Sequence, residues 1–344
     1  MNNKRVLYLD ILKIISCIAV VIIHVTADGF NFMNINTVSW SVVAAFNVMV
    51  RFAVPIFVMV SGALFLNPER KLDIKRLWKK NILTLVIVYI VWTLIYAVYA
   101  VYNKGQGINI IYVLGSAVKK SYYHLWFIPM LIGIYACIPL LKPMVNSGKK
   151  IVEYFLILFA IFYIIPTTIE LFKFPYYTFV RAILNRIQIP MLGYIGYFVL
   201  GHYLHTYGFP KKHTIKLYIL AIISVVIGII GTWCYSWASN ESIVTFACNF
   251  SVTTYILTIA MFVLIKNLFD NKKLKFEKLI IHLSNISLGI YLIHVLIKDI
   301  LKNQLGMPFT NIWNLPLNTV IMLVGSYLIS LGLSKIPFVN KYII

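Results

Sequence analysis

The sequence predicts an all-α fold: a polytopic bundle of about ten transmembrane helices with both termini cytoplasmic. Three observations carry that expectation. The 344 residues are 61% hydrophobic and only 12% charged, with a mean hydropathy of +0.86. Such a chain has too little polar surface to cover a water-soluble globule. Apolar runs of span length recur along its whole length, and a bilayer core needs about 20 apolar residues per helix. Finally, Lys and Arg gather in alternate connections, the pattern that sets membrane orientation.

The runs in order are 9–27, 43–66, 82–102, 124–141, 151–170, 187–206, 216–236, 249–266, 284–302 and 315–334. The connections are mostly short, without a Gly/Ser linker, a repeat or a low-complexity tract. Residues 1–344 therefore read as a single integral membrane domain. Lys4 and Arg5 before the first run resemble a signal peptide, and Val25-Thr26-Ala27 loosely fits a cleavage site. Asp10, Lys13 and His24 interrupt that run, so it reads as an uncleaved first helix. Of the 31 Lys and Arg residues, 21 lie in the N-terminal, even-numbered-loop and C-terminal segments and 8 in the intervening loops. The richer set includes Arg70, Lys71, Lys75, Arg76, Lys79 and Lys80. The poorer set includes Lys104, Lys173, Arg181 and Lys298. The richer side is expected to be cytoplasmic.

The net charge of +21 then needs no nucleic acid. Orientation accounts for it, with anionic lipid head groups as partners. Cys17, Cys137, Cys234 and Cys248 show no metal spacing. Cys17 and Cys137 read as core residues, and Cys234 and Cys248 could pair near the outer face. His202, His205 and His213 gather without a carboxylate or thiol beside them, so no metal is expected.

The informative residues are polar groups inside apolar runs. A charge at mid-membrane costs about 2.5–3.5 kcal/mol on insertion scales and must face protein or a wet cavity. Lys13 and His24 are eleven positions apart, which returns to nearly the same helix face. Asp10 falls close to that stripe, and the small Ser16 and Cys17 leave room along it. Arg51 lies in the second run, followed by Pro55 and Ser61-Gly62. A rise of about 1.5 Å per residue puts His24 and Arg51 at similar outer depth, about 21 and 24 Å from their inner ends. His124-Leu125-Trp126-Phe127 opens the fourth run at outer depth. Ser287-Leu288-Gly289-Ile290-Tyr291-Leu292-Ile293-His294 lies in the ninth. A structural use remains open for each: Lys13 snorkelling, Arg51 clamping helix ends, Trp126 in an interfacial belt, and His294 bonding between helices.

In combination and order, these residues resemble acyltransferase family 3, the integral membrane acyltransferases of bacterial envelopes. The carriers are Arg5-x4-Asp10-x2-Lys13-x10-His24, Arg51-x3-Pro55-x5-Ser61-Gly62, Lys75-Arg76-Leu77-Trp78-Lys79-Lys80, His124-Leu125-Trp126-Phe127 and Ser287 to His294. Lys13 fills the family's basic slot, separated from the histidine by ten residues. Lys79 stands where the family often has a second arginine after Arg76.

The resemblance implies transfer of an acyl group, usually acetyl, from cytoplasmic acyl-CoA to a hydroxyl of an envelope glycan or lipid-linked sugar. The setting would be the bacterial cytoplasmic membrane, and an oligomer is compatible with it. His24 is then the expected general base, with Arg51, His124, Lys13 and Asp10 as catalytic company. Arg76, Lys79, Lys80 and Lys75 are expected to hold the phosphates of coenzyme A. Trp126, Ser61, Tyr291 and His294 are expected at the substrate. The alternative is a transporter or flippase of an envelope precursor, which would favour an inverted repeat and broken helices. No such symmetry is legible in the sequence.

Overall fold

The computed structural model describes residues 5–105, 109–119, 122–172, 178–179, 182–183, 193–337 and 339. Among these, all regular structure is helical, as a bilayer demands of a chain that must satisfy its own backbone polar groups. Lys4, Lys120, Lys173, Arg181, Arg186 and Lys341 of the charge count lie outside the described residues. All four cysteines are free thiols.

The helices in chain order are α1 (Leu7–Phe32), α2 (Val38–Met49), α3 (Ala53–Phe65), α4 (Ile74–Asn103), α5 (Ile110–Lys119), α6 (Phe127–Ala136) and α7 (Ile138–Asn146). α8 runs from Lys149–Phe159 through a π-turn at Ala160–Ile164 into Ile165–Phe172. There follow α9 (Tyr194–Thr206), α10 (Thr214–Ser239), α11 (Val252–Phe269), α12 (Glu277–Asn303) and α13 (Leu315–Ser334). Starts are set by ordinary caps. Thr37 accepts from Trp40 N at the head of α2, Asp73 from Arg76 N at α4 and Ser251 from Thr254 N at α11.

Among the described residues eight helices are long and apolar enough to cross a membrane, and nine when α6 and α7 count as one bent span. This is a multi-pass membrane protein. The expected span at 187–206 lies partly outside the described residues, and α9 is its described part.

Three departures from the expected spans have physical causes. The span expected at 43–66 is broken between Met49 and Ala53. Pro55 has no N–H to give the carbonyl of Arg51, and its ring crowds that carbonyl, so the helix stops and restarts. The span expected at 124–141 bends by 56° at Cys137, where Pro139 does the same to Tyr135. His124 falls just before that helix rather than within it. The connection after α4 also holds the short helix α5, which its length keeps below span size.

The chain forms two compact units. The first holds Met1–Arg70, Leu141–Ser284 and Phe309–Leu315, and the second Lys71–Leu140, Asn285–Pro308 and Pro316–Ile344. In the first unit α1 packs on α2, α3 and α11, and α3 packs on α9. The α3–α9 crossing is glycine-made. A Cβ on Gly62 would stand 1.7 Å from the Phe198 carbonyl oxygen, and one on Gly201 would stand 1.9 Å from that of Met59. Each glycine thus meets the residue three positions before the other, the close approach that small residues permit between membrane helices. In the second unit α4 packs on α5 and α6, and Tyr96 of α4 is tied to α12.

Candidate functional site

In the first unit the polar residues of α1 divide into two groups. Near its N-terminus Asp10 is buried and accepts both arms of the Arg5 guanidinium, at 2.8 and 2.9 Å. Ser284 Oγ donates a third bond to it at 2.6 Å. This fork geometry is the strongest ordinary carboxylate contact, and the Asp10 bond raises the Arg5 guanidinium above its usual range. Lys13 lies one turn on, within electrostatic reach of Asp10 and Arg5.

About 21 Å further along the helix axis, His24 is half-buried. Two residues beyond it, Thr26 accepts from Asn47 Nδ2 of α2 at 3.0 Å. Asn47 Oδ1 in turn accepts from Arg51 Nε at 2.9 Å, and also from Arg51 Nη2. Arg51 therefore stands in the α2–α3 break, and Asn47 ties its guanidinium to α1 at Thr26, two residues beyond His24. Tyr194 and Cys248 are the other groups in electrostatic reach of Arg51, and Tyr194 Oη accepts from Asn249 Nδ2 at 2.6 Å. Ser61 is half-buried beside Gly62 at the α3–α9 crossing.

The second unit holds the remaining expected residues. His124 is buried, and Tyr291 donates its hydroxyl to the His124 carbonyl. The His124 ring stands edge-on to those of Tyr96, Tyr291 and His294, with centroids 4.9, 5.7 and 5.5 Å away. His294 is fully buried, with Nδ1 2.6 Å from the Tyr291 carbonyl and 3.2 Å from that of Ile290. Both neighbours only accept, so Nδ1 carries a proton. Trp126 is 41% exposed, edge-on to Phe127.

Sequence reasoning missed Tyr96. Its hydroxyl donates to the Leu292 carbonyl at 2.8 Å and accepts from Leu296 N at 3.0 Å. Those two groups would otherwise pair in the helix ladder. Tyr96 thus bonds both members of that ladder pair, on the turn of α12 that carries His294. Tyr122 Oη donates to Asp299 at 2.5 Å. Burial and that carboxylate hold the Tyr122 phenol above its usual range.

At the head of α4, Lys75, Arg76, Lys79 and Lys80 are all exposed. Leu77–Ile82 is a π-turn. Arg76, Lys79 and Lys80 stand three and four positions apart, so they share a face. Four cations at a helix N-terminus oppose the helix dipole and each other, an arrangement that an anion relieves.

The family model described as an acyltransferase domain, acyltransferase family 3, matches residues 6–335. Neither the search of curated proteins nor that of solved structures finds a match.

Proposed function

The chain belongs to acyltransferase family 3 and is a membrane acyltransferase, and from that premise we propose that it moves an acetyl group from cytoplasmic acyl-CoA to a hydroxyl of an envelope glycan or lipid-linked sugar. The observation that carries the reading is the Arg51–Asn47–Thr26 chain of hydrogen bonds, which ties the Arg51 guanidinium to α1 two residues beyond His24. Acyl transfer to a hydroxyl needs a base for its proton and a positive or donor group for the oxyanion. His24 takes the acceptor proton as the hydroxyl oxygen attacks the thioester carbonyl. Arg51 steadies the oxyanion. The carbon–sulfur bond then breaks, and the coenzyme A thiolate leaves and takes up the proton. Asp10, locked by Arg5 and Ser284, fixes the base of α1 and the place of Lys13.

In the second unit, Arg76, Lys79, Lys80 and Lys75 take the phosphates of coenzyme A. A face of cations at a helix N-terminus suits a polyanion better than any neutral ligand. His124, Trp126, Tyr291 and His294 serve the acceptor. The protein sits in the bacterial cytoplasmic membrane with the α4 head and both termini on the cytoplasmic side, the side where acyl-CoA is found.

The test is acetyl transfer by the purified protein in proteoliposomes, with radiolabelled acetyl-CoA outside and extracted envelope glycans as acceptors. Arg76→Gln combined with Lys79→Gln should raise the KM for acetyl-CoA at least tenfold and leave acceptor KM unchanged. A shift confined to acceptor KM would refute the donor assignment. The absence of any transfer or acetyl-CoA turnover by the wild type would refute the reading.

A further inference from the structure

Tyr194, Cys248 and Asn249 lie around Arg51 and have no part in the chemistry described so far. A guanidinium carries five N–H groups in a rigid fork. Asn47 engages Nε and Nη2 of Arg51, and Nη1 lies outside that contact. Among the described residues, Tyr194 and Cys248 are the other groups in electrostatic reach of Arg51. Asn249 joins the two. It follows Cys248 in the chain, and its Nδ2 donates to Tyr194 Oη at 2.6 Å. Its backbone carbonyl accepts from Tyr197 Oη at 2.5 Å. Tyr194 and Tyr197 stand three positions apart at the head of α9, so they meet Asn249 from one helix face. The next residue, Phe250, sets its ring near both, with centroids 4.9 and 5.9 Å away. Asn249 is thus fixed at its side chain, at its backbone and through its neighbour.

We propose that Asn249 is a positioning residue for the acyl transfer: it holds Tyr194 and Cys248 in place around Arg51 and so fixes the direction of the guanidinium. This rests on the reading above, in which Arg51 steadies the oxyanion. Asn249 touches no reacting atom and acts through Tyr194.

Three physical points favour that role. Arg51 lies in the break between α2 and α3 on a long stem, and contact with Asn47 alone lets the fork pivot about one edge. A donor to an oxyanion works by being in place before the charge develops, which calls for support from a second side. The rings of Phe250, Tyr194 and Tyr197 would pack the 248–250 segment onto α9 without an amide. The amide adds a direction for the Tyr194 hydroxyl, which ring packing does not set. Finally, the group is neutral. An aspartate could bond the same phenol, but its charge would favour pairing with Arg51 and compete with the oxyanion.

The test joins turnover with a readout that needs no substrate. Acetyl transfer is measured for Asn249→Ala, Tyr194→Phe, the double variant and Asn249→Asp in proteoliposomes at matched folded amounts. In parallel, phenylglyoxal labelling of Arg51 is followed by mass spectrometry, with the exposed Arg76 as internal standard. Asn249→Ala should lower kcat at least tenfold, since a displaced group costs up to about 100-fold, and leave the KM for acetyl-CoA within twofold. The double variant should be no slower than Tyr194→Phe, because the two residues act as one unit. Asn249→Asp should fold and lose at least tenfold in kcat, where a merely structural clamp would keep its activity. The Arg51 labelling rate should change at least threefold in Asn249→Ala and Tyr194→Phe. If Asn249→Ala does not fold, Asn249→Asp and Tyr194→Phe carry the test. Wild-type kcat in Asn249→Ala or Asn249→Asp overturns the proposal, as do losses that multiply in the double variant or an unchanged Arg51 labelling rate. A wild type that never turns over acetyl-CoA, with Arg51 labelling that still responds to Asn249, contradicts acyl transfer and leaves the positioning of Arg51 intact.

Discussion

Asn47 is the residue on which Arg51 and α1 both depend, and replacing it with leucine of similar size isolates that role. The side chain is 2% exposed. It receives two bonds from the Arg51 guanidinium and gives one to Thr26. A bond to a charged group contributes about 1.5–3 kcal/mol. The two Arg51 bonds share one oxygen and Arg51 is half-exposed, so together they are worth about one such bond. The interhelical bond to Thr26 adds about 0.6 kcal/mol, the average found between membrane helices. Asn47→Leu should therefore destabilise the protein by about 2–3.5 kcal/mol. Asn47→Asp keeps the acceptor oxygen for Arg51 and gives up the donor to Thr26, so it should lose far less. The assay is thermal unfolding in detergent, followed by fluorescence-detected size exclusion, with acetyl transfer measured on the folded fraction. Asn47→Leu should unfold several degrees earlier and lose activity beyond its loss of fold, because Arg51 is no longer held. An Asn47→Leu protein as stable and as active as the wild type would refute this role of the Asn47 bridge.

Two further perturbations test the frame around the site. Gly62→Ala would set a methyl 1.7 Å from a backbone oxygen, and that oxygen cannot swing aside as a side chain would. α3 and α9 must part, at a cost at or above the usual 1–3 kcal/mol of overpacking, and melting within 2 °C or so of the wild type would contradict the crossing. Tyr96→Phe removes the hydroxyl that bonds both the Leu292 carbonyl and the Leu296 amide, and leaves those two groups to each other. It should cost only about 0.5–1.5 kcal/mol and change the exchange rate of the Leu296 amide. An unchanged exchange rate at Leu296 would count against this bonding.

Most of the helices were legible because each is an apolar run of span length, and the family followed from polar residues at fixed spacing within them. The breaks were less legible. Pro55 and Pro139 sit in unbroken apolar text, and only the carbonyl four residues earlier reveals what each disrupts. α5 was hidden because ten residues between two spans look like a loop. Among the candidate site residues, attention to ionisable groups singled out His24, Arg51 and His294 but passed over Asn47, four residues before Arg51. The same cost of polarity in an apolar span applies to an amide and would have flagged it. Tyr96 carried no comparable signal, since it is one of 23 tyrosines and only its partners on α12 set it apart. Asp299 was visible as a carboxylate near a span end, yet its tie to Tyr122 is a tertiary fact with no local pattern.

The central claim is that His24 is the base of an acyl transfer from coenzyme A. It is tested most directly by comparing acetyl transfer from radiolabelled acetyl-CoA by wild-type and His24→Ala proteins in proteoliposomes, at matched folded amounts. A general base contributes about 10²–10⁴-fold, so kcat should fall by at least 100-fold while the KM for acetyl-CoA, which the proposal assigns to the α4 cations, moves little. A His24→Ala protein that inserts, folds and transfers acetyl at the wild-type rate would contradict the account.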